Sequence, residues 1–148
     1  MKNRIMKAII LTAAVFAATF FASVSTEAAR VTVSNEMQLR QAVAQVCEEP
    51  TTIVLAADIE LISNFIIPTG SNITLSSYGS EMHSLIAMRD MDVIWVQHGA
   101  TLTIDNIVVN RMEGTRGEGI RVNGRLVMNS GTIQDHVQRE SGSGSFGV

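Results

Sequence analysis

The sequence predicts an all-β fold: a solenoid of about three to four stacked parallel coils, with a capping helix at its N-terminal end. Three observations carry this prediction. Apolar and polar residues alternate along most of the chain after Pro50. One unit, alternation then glycine then alternation, occurs as Phe65 to Leu75, as Ile94 to Ile104 and as Ile120 to Met128. Its glycines, Gly70, Gly99 and Gly124, are spaced by 29 and 25 residues, the range of a stacked repeat. A sandwich of hairpins also has short alternating strands, but it does not place like residues at like positions at that interval.

In chain order, residues 1–28 read as an export signal. Lys2, Arg4 and Lys7 precede the apolar stretch Ala8 to Ala22, and Thr26 and Ala28 occupy the two small-residue places of a cleavage site. That stretch falls short of the roughly 20 apolar residues of a bilayer span, and no later segment is apolar enough to cross. The expected location is outside the cytoplasm: extracellular, on the cell surface or in the periplasm. Of the 11 basic and 14 acidic residues, 3 and 1 lie in the leader, so 8 arginines face 13 carboxylates and the remainder carries a charge of −5. Without a basic block, such a chain is poorly suited to nucleic acid or to an anionic membrane surface.

Residues 29–50 form the strand and cap. Val31-Thr32-Val33 reads as a strand and Ser34 as the N-cap of a helix, with Glu36 in its first turn. Met37, Leu39, Ala42, Val43 and Val46 recur on one face, and the helix is expected to stop before Pro50. Such a helix covers the apolar end of a stack. The single cysteine, Cys47, excludes an internal disulfide and reads as a small apolar residue near the helix end, with intermolecular pairing as the alternative.

Residues 51–136 form the coils. Ile94, Val96, Leu102 and Ile104 are expected to point inward, as are Ile120, Val122, Leu126 and Met128 in the next copy, while Trp95, Thr101 and Thr103 point out. Ile73, Leu102 and Leu126 then form one inward ladder, and Leu75, Ile104 and Met128 a second. Residues 137–148 read as a flexible Gly/Ser-rich tail.

Gly99-Ala100-Thr101-Leu102-Thr103-Ile104-Asp105-Asn106-Ile107 and Gly124-Arg125-Leu126-Val127-Met128-Asn129-Ser130-Gly131-Thr132-Ile133 resemble coils of right-handed parallel β-helix proteins. The nearest match is the group that resembles pectate lyases, with the bacterial surface proteins and adhesins built like them. The likeness spans Val33 to Asp135, including the leading helix. It implies the architecture and leaves the activity open between polysaccharide lyases, tailspikes and adhesins. The chain has fewer coils than the family enzymes, which reads as a short or truncated relative.

The resemblance directs attention to calcium-binding acids and to arginines, because lyases of this fold use both. Asp90 and Asp92 lie two apart and Glu118 aligns one coil above Asp92, a candidate calcium set of hard oxygen donors. Asp90 also aligns with Arg116, which suggests an ion pair or a solvated turn instead. Arg111, Arg116, Arg121 and Arg125 lie close in sequence, but an arginine seldom surrenders its proton, and a mixed charged surface accounts for them. Trp95 faces outward with Arg121 at the matching place one coil on, so the two can stack as a cation–π pair or meet a sugar ring. A covering loop, 114–119, is the plainer alternative. His83, His98 and His136 are isolated, Asn123-Gly124 is a tight-turn dipeptide, and Asn72-Ile73-Thr74 matches a glycosylation pattern.

The functional expectation is a secreted or surface module without enzymatic activity that binds glycan or matrix through Trp95 and Arg121, or a remnant of a longer surface protein. The alternatives are a polysaccharide lyase-like protein and a structural module that self-associates through an uncapped C-terminal end. No cofactor is expected beyond the calcium set.

Overall fold

The structure, a computed structural model, describes residues 28–46 and 49–134. The expected leader, Cys47, His136 and the Gly/Ser-rich tail lie outside the described residues. The described elements are β1 (Ala29–Val33), α1 (Glu36–Ala44), β2 (Thr51–Leu55), β3 (Ile59–Leu61), β4 (Phe65–Ile67), β5 (Asn72–Ser77) and β6 (His83–Ala87). They continue with β7 (Ile94–Val96), β8 (Thr101–Asp105), β9 (Ile107–Arg111), β10 (Ile120–Val122), β11 (Arg125–Met128) and β12 (Gly131–Ile133).

These strands wind into a parallel β-solenoid of about four turns. One sheet runs β1-β2-β5-β8-β11, a second β3-β6-β9-β12 and a third β4-β7-β10, and every strand pair is parallel. Each coil thus contributes one strand to each sheet, which is what the spacing of the repeat requires. Like residues stack on like. Ile73 pairs with Leu102 and Leu102 with Leu126, while Leu75 pairs with Ile104 and Ile104 with Met128. Phe65, Ile94 and Ile120 stack in the same way across the third sheet. Ile53, Leu61, Phe65, Ile73, Leu85, Ile94 and Leu102 are fully buried, and each such side chain contributes about 1.5–3 kcal/mol through burial.

The repeat glycines serve two different purposes. Gly70 and Gly99 sit at φ of 78° and 74°, in the left-handed region that a side chain disfavours. Gly124 is instead pressed against main chain: a Cβ there would run into the carbonyl oxygens of Gln97 and Ala100. It is the site where two successive coils approach most closely at this turn.

The helix closes the N-terminal end of the stack, with one correction to its start. Asn35, not Ser34, is the N-cap: its side chain accepts the Gln38 N–H at 2.9 Å, and Gln38 Oε1 accepts the Ser34 N–H at 2.8 Å. The residue three beyond Asn35 is Gln38, which can reach back and close this box, whereas three beyond Ser34 stands Met37, which cannot. Leu39, Ala42 and Val43 are buried against the first coil. Met37 is 71% exposed, because two residues from Leu39 carry it about 200° around the helix. Arg40 clasps the coil below, donating to the Asn64 carbonyl at 3.1 Å and the Ser63 carbonyl at 2.7 Å while its Nε meets Glu36 Oε1 at 2.9 Å.

The opposite end differs. Val122, Met128 and Ile133 keep their inward register positions but are 41%, 43% and 40% exposed. Among the described residues, β10, β11 and β12 are the edge strands at this end of their sheets.

Candidate functional site

The outer face of the third sheet carries the most structured group of polar and aromatic side chains. On β4, β7 and β10 the inward positions are taken by Phe65, Ile94, Val96 and their partners, so the central residue of each strand must point out. Those central residues are Ile66, Trp95 and Arg121, which the pairing sets in one register row. Neighbouring members of the row stand one strand spacing apart, about 4.8 Å.

Trp95 is held at two places. Its indole Nε1 donates to Asn123 Oδ1 at 2.6 Å, and the Arg121 guanidinium carbon lies 5.5 Å from the ring centroid. The second distance is within the reach of a cation–π contact. Arg121 is itself drawn toward Asp92, Nη1 to Oδ2 being 3.7 Å. The neighbouring turn is tied across coils by Gln97, whose Oε1 accepts the Thr69 N–H at 3.2 Å. These side chains line an open depression of about 460 Å³ formed by Thr69, Trp95, Gln97, His98, Arg121 and Asn123.

The lining supplies an aromatic plate, a cation, two amides, a hydroxyl and an imidazole, and no carboxylate. Such a set stacks on an apolar ring face and hydrogen-bonds the groups around its edge. It lacks the pair of carboxylates on which glycoside hydrolysis ordinarily depends.

Compared with protein-family models, with curated proteins and with solved structures, the chain matches none. Its functional reading therefore rests on its own geometry.

The three acids proposed for calcium lie in two successive coils, but their oxygens are engaged with main chain. Asp90 Oδ1 accepts the Arg116 N–H at 2.8 Å, and Asp92 Oδ1 accepts the Glu118 N–H at 2.9 Å. Asp58 does the same for Ser84 N–H at 2.7 Å in the second sheet. At these turns the ladder of main-chain bonds is interrupted, and an acidic side chain from the coil below supplies the acceptor that the next coil lacks. Among the described residues, no three acidic, histidine or cysteine side chains gather as a metal donor set.

The arginines are dispersed by the fold. Arg111 is buried at the end of β9, Arg116 lies in the 112–119 turn, and Arg125 is exposed on β11 of the first sheet. Only Arg121 joins the Trp95 face. The 114–119 turn packs elsewhere, Gly117 lying against the Met91 carbonyl. His98 is exposed at the rim of the depression, and His83 Nδ1 is 3.8 Å from Asp58 Oδ1. Asn123 and Gln97 were not singled out by composition or motif. The signal was in the repeat: offsets of 26 to 29 residues bring Thr69, Gln97 and Asn123 to one corner of successive coils.

Proposed function

We propose that this protein is a non-enzymatic β-solenoid module of the cell exterior that binds glycan on the Trp95 face. The observation that carries the reading is the fixed indole: Trp95 is bonded through Nε1 to Asn123 and flanked by Arg121, at the floor of a depression ringed by neutral donors and acceptors. A preorganised aromatic loses little freedom when a pyranose ring settles on it. The resemblance of its coils to the pectate lyase-like and adhesin-like β-helix group supports carbohydrate as the ligand class, and the residues 1–28 pattern supports export. A lyase reading draws only on the same resemblance, since the acids it would use for calcium are engaged with turn amides.

The test is a broad glycan array probed with purified protein, with and without calcium. The reading expects reproducible retention that Trp95→Ala abolishes while the circular dichroism of the variant stays unchanged. Silence from folded protein overturns it.

A second reading is a structural module that stacks on another chain. It is favoured by the exposure of Val122, Met128 and Ile133 at the end of the stack opposite α1.

A further inference from the structure

The open end of the solenoid combines two unmet needs, apolar cover and main-chain pairing. Ile120, Val122, Leu126, Met128 and Ile133 form its rung, and the edges of β10, β11 and β12 form its rim. The direction of the unmet hydrogen bonds on β11 follows from those already made. Arg125 N donates to the Ala100 carbonyl at 2.8 Å and Asn129 N to the Ile104 carbonyl at 2.9 Å, both toward β8. Leu126 and Met128 therefore present their N–H and C=O groups to the free edge. An occupant must bring a β-edge and an uncharged apolar surface. Residues 120–134 contain no carboxylate, and their two charges, Arg121 and Arg125, lie on the outer faces of separate sheets rather than on the inward rung.

We infer that the occupant is a second copy of this chain, docked end to end about a two-fold axis through Val127. The inference rests on the stacking reading above and is independent of glycan binding. In the antiparallel register centred there, Leu126 faces Met128 of the second copy and the two exchange both main-chain bonds, so all four free groups of each pair are used. Leu126 and Met128 both point inward, so the core ladder continues across the junction. Arg125 faces Asn129 of the second copy, which keeps the guanidinium groups apart. The same rotation brings the open ends of β10 and β12 of the two copies together. Because α1 and β1 occupy the other end of each stack, the pairing closes at two copies and builds no filament. One coil face from each partner buries about 1,000 Å² in total, the lower limit for a specific interface. The dimer is accordingly reversible, with dissociation in the micromolar range.

Light scattering across a dilution series of purified protein tests this, together with three variants. The expected result is a mass that falls from dimer to monomer on dilution, and a monomer at every concentration for Val122→Lys and Met128→Arg with unchanged circular dichroism. Both positions are already exposed, so the fold tolerates the substitutions. Val127 forms the closely spaced, non-hydrogen-bonded pair of the register, with Cα atoms about 4.5 Å apart, inside the range of a disulfide. Val127→Cys, made together with Cys47→Ser, is therefore expected to yield a disulfide-linked dimer in air and nothing larger. Monomer at several hundred micromolar overturns both the inference and the stacking reading. Dimer that Met128→Arg abolishes but Val127→Cys fails to crosslink leaves stacking standing and overturns the two-fold register. Species beyond the dimer overturn closure.

Discussion

Trp95 and Arg121 are register partners on β7 and β10, with the guanidinium 5.5 Å from the indole centroid although 26 residues separate them in the chain. The parallel stack alone makes them neighbours. Because the chain has one tryptophan, its fluorescence reports on this face and nothing else.

Arg121→Ala and Asn123→Ala are each expected to shift the Trp95 emission, the first by removing the cation over the ring and the second by freeing Nε1. In a double-mutant cycle of Trp95→Phe with Arg121→Ala, read by chemical denaturation, the coupling is about 0.5–1 kcal/mol. A coupling of zero would show that the pair adds no stability.

Asp92 separates two roles by its response to isosteric change. Asp92→Asn keeps an oxygen for the Glu118 N–H and is expected to leave the melting temperature nearly unchanged, whereas Asp92→Ala loses about 1 kcal/mol. Carboxylate-dependent behaviour would point the other way: a calcium-induced rise in melting temperature that Asp92→Asn removes would make Asp90, Asp92 and Glu118 ligands after all.

Two glycines of the repeat are expected to differ under the same substitution. Gly70→Ala pays for a left-handed backbone and costs about 1–2 kcal/mol. Gly124→Ala drives a methyl into the carbonyls of Gln97 and Ala100, which cannot move aside, and costs about 3 kcal/mol, the upper part of the overpacking range. Denaturation midpoints in the reverse order would show that the coils can separate at that turn.

Amide hydrogen exchange at low micromolar protein is expected to show a gradient. β5 and β8 are paired on both edges and deeply buried, so their amides exchange most slowly. Protection should fall across β10, β11 and β12, whose inward side chains are partly exposed. Uniform protection would contradict coil-by-coil stability.

Much of this architecture was legible because a solenoid writes its contacts at one nearly constant interval. The inward ladders through Leu102 and Ile104, and the approach of Trp95 to Arg121, follow from aligning three glycines. What the alignment could not show is which atom of a side chain is used. Asp90 aligned with Arg116 suggests two charges meeting, yet its carboxylate accepts from the Arg116 main-chain N–H. Asn123 read only as a turn residue, and its amide oxygen proves to anchor the indole. The helix start shifted by one residue because capping depends on whether Gln38 can reach back, a question of side-chain length that helical periodicity does not address. Val122 and Met128 kept their inward register, but their burial depends on what lies above them, which no pattern within the coil encodes.

The short offset between pairing strands has a consequence for how this molecule is assembled. Every strand of the stack finds its partner 22 to 29 residues earlier or later, so no contact waits for a distant part of the polypeptide. The end that α1 seals is also the one formed from the earliest described residues. A nascent chain can thus complete its foundation first and lay each new course on a finished one, growing in a single direction with only its newest edge exposed.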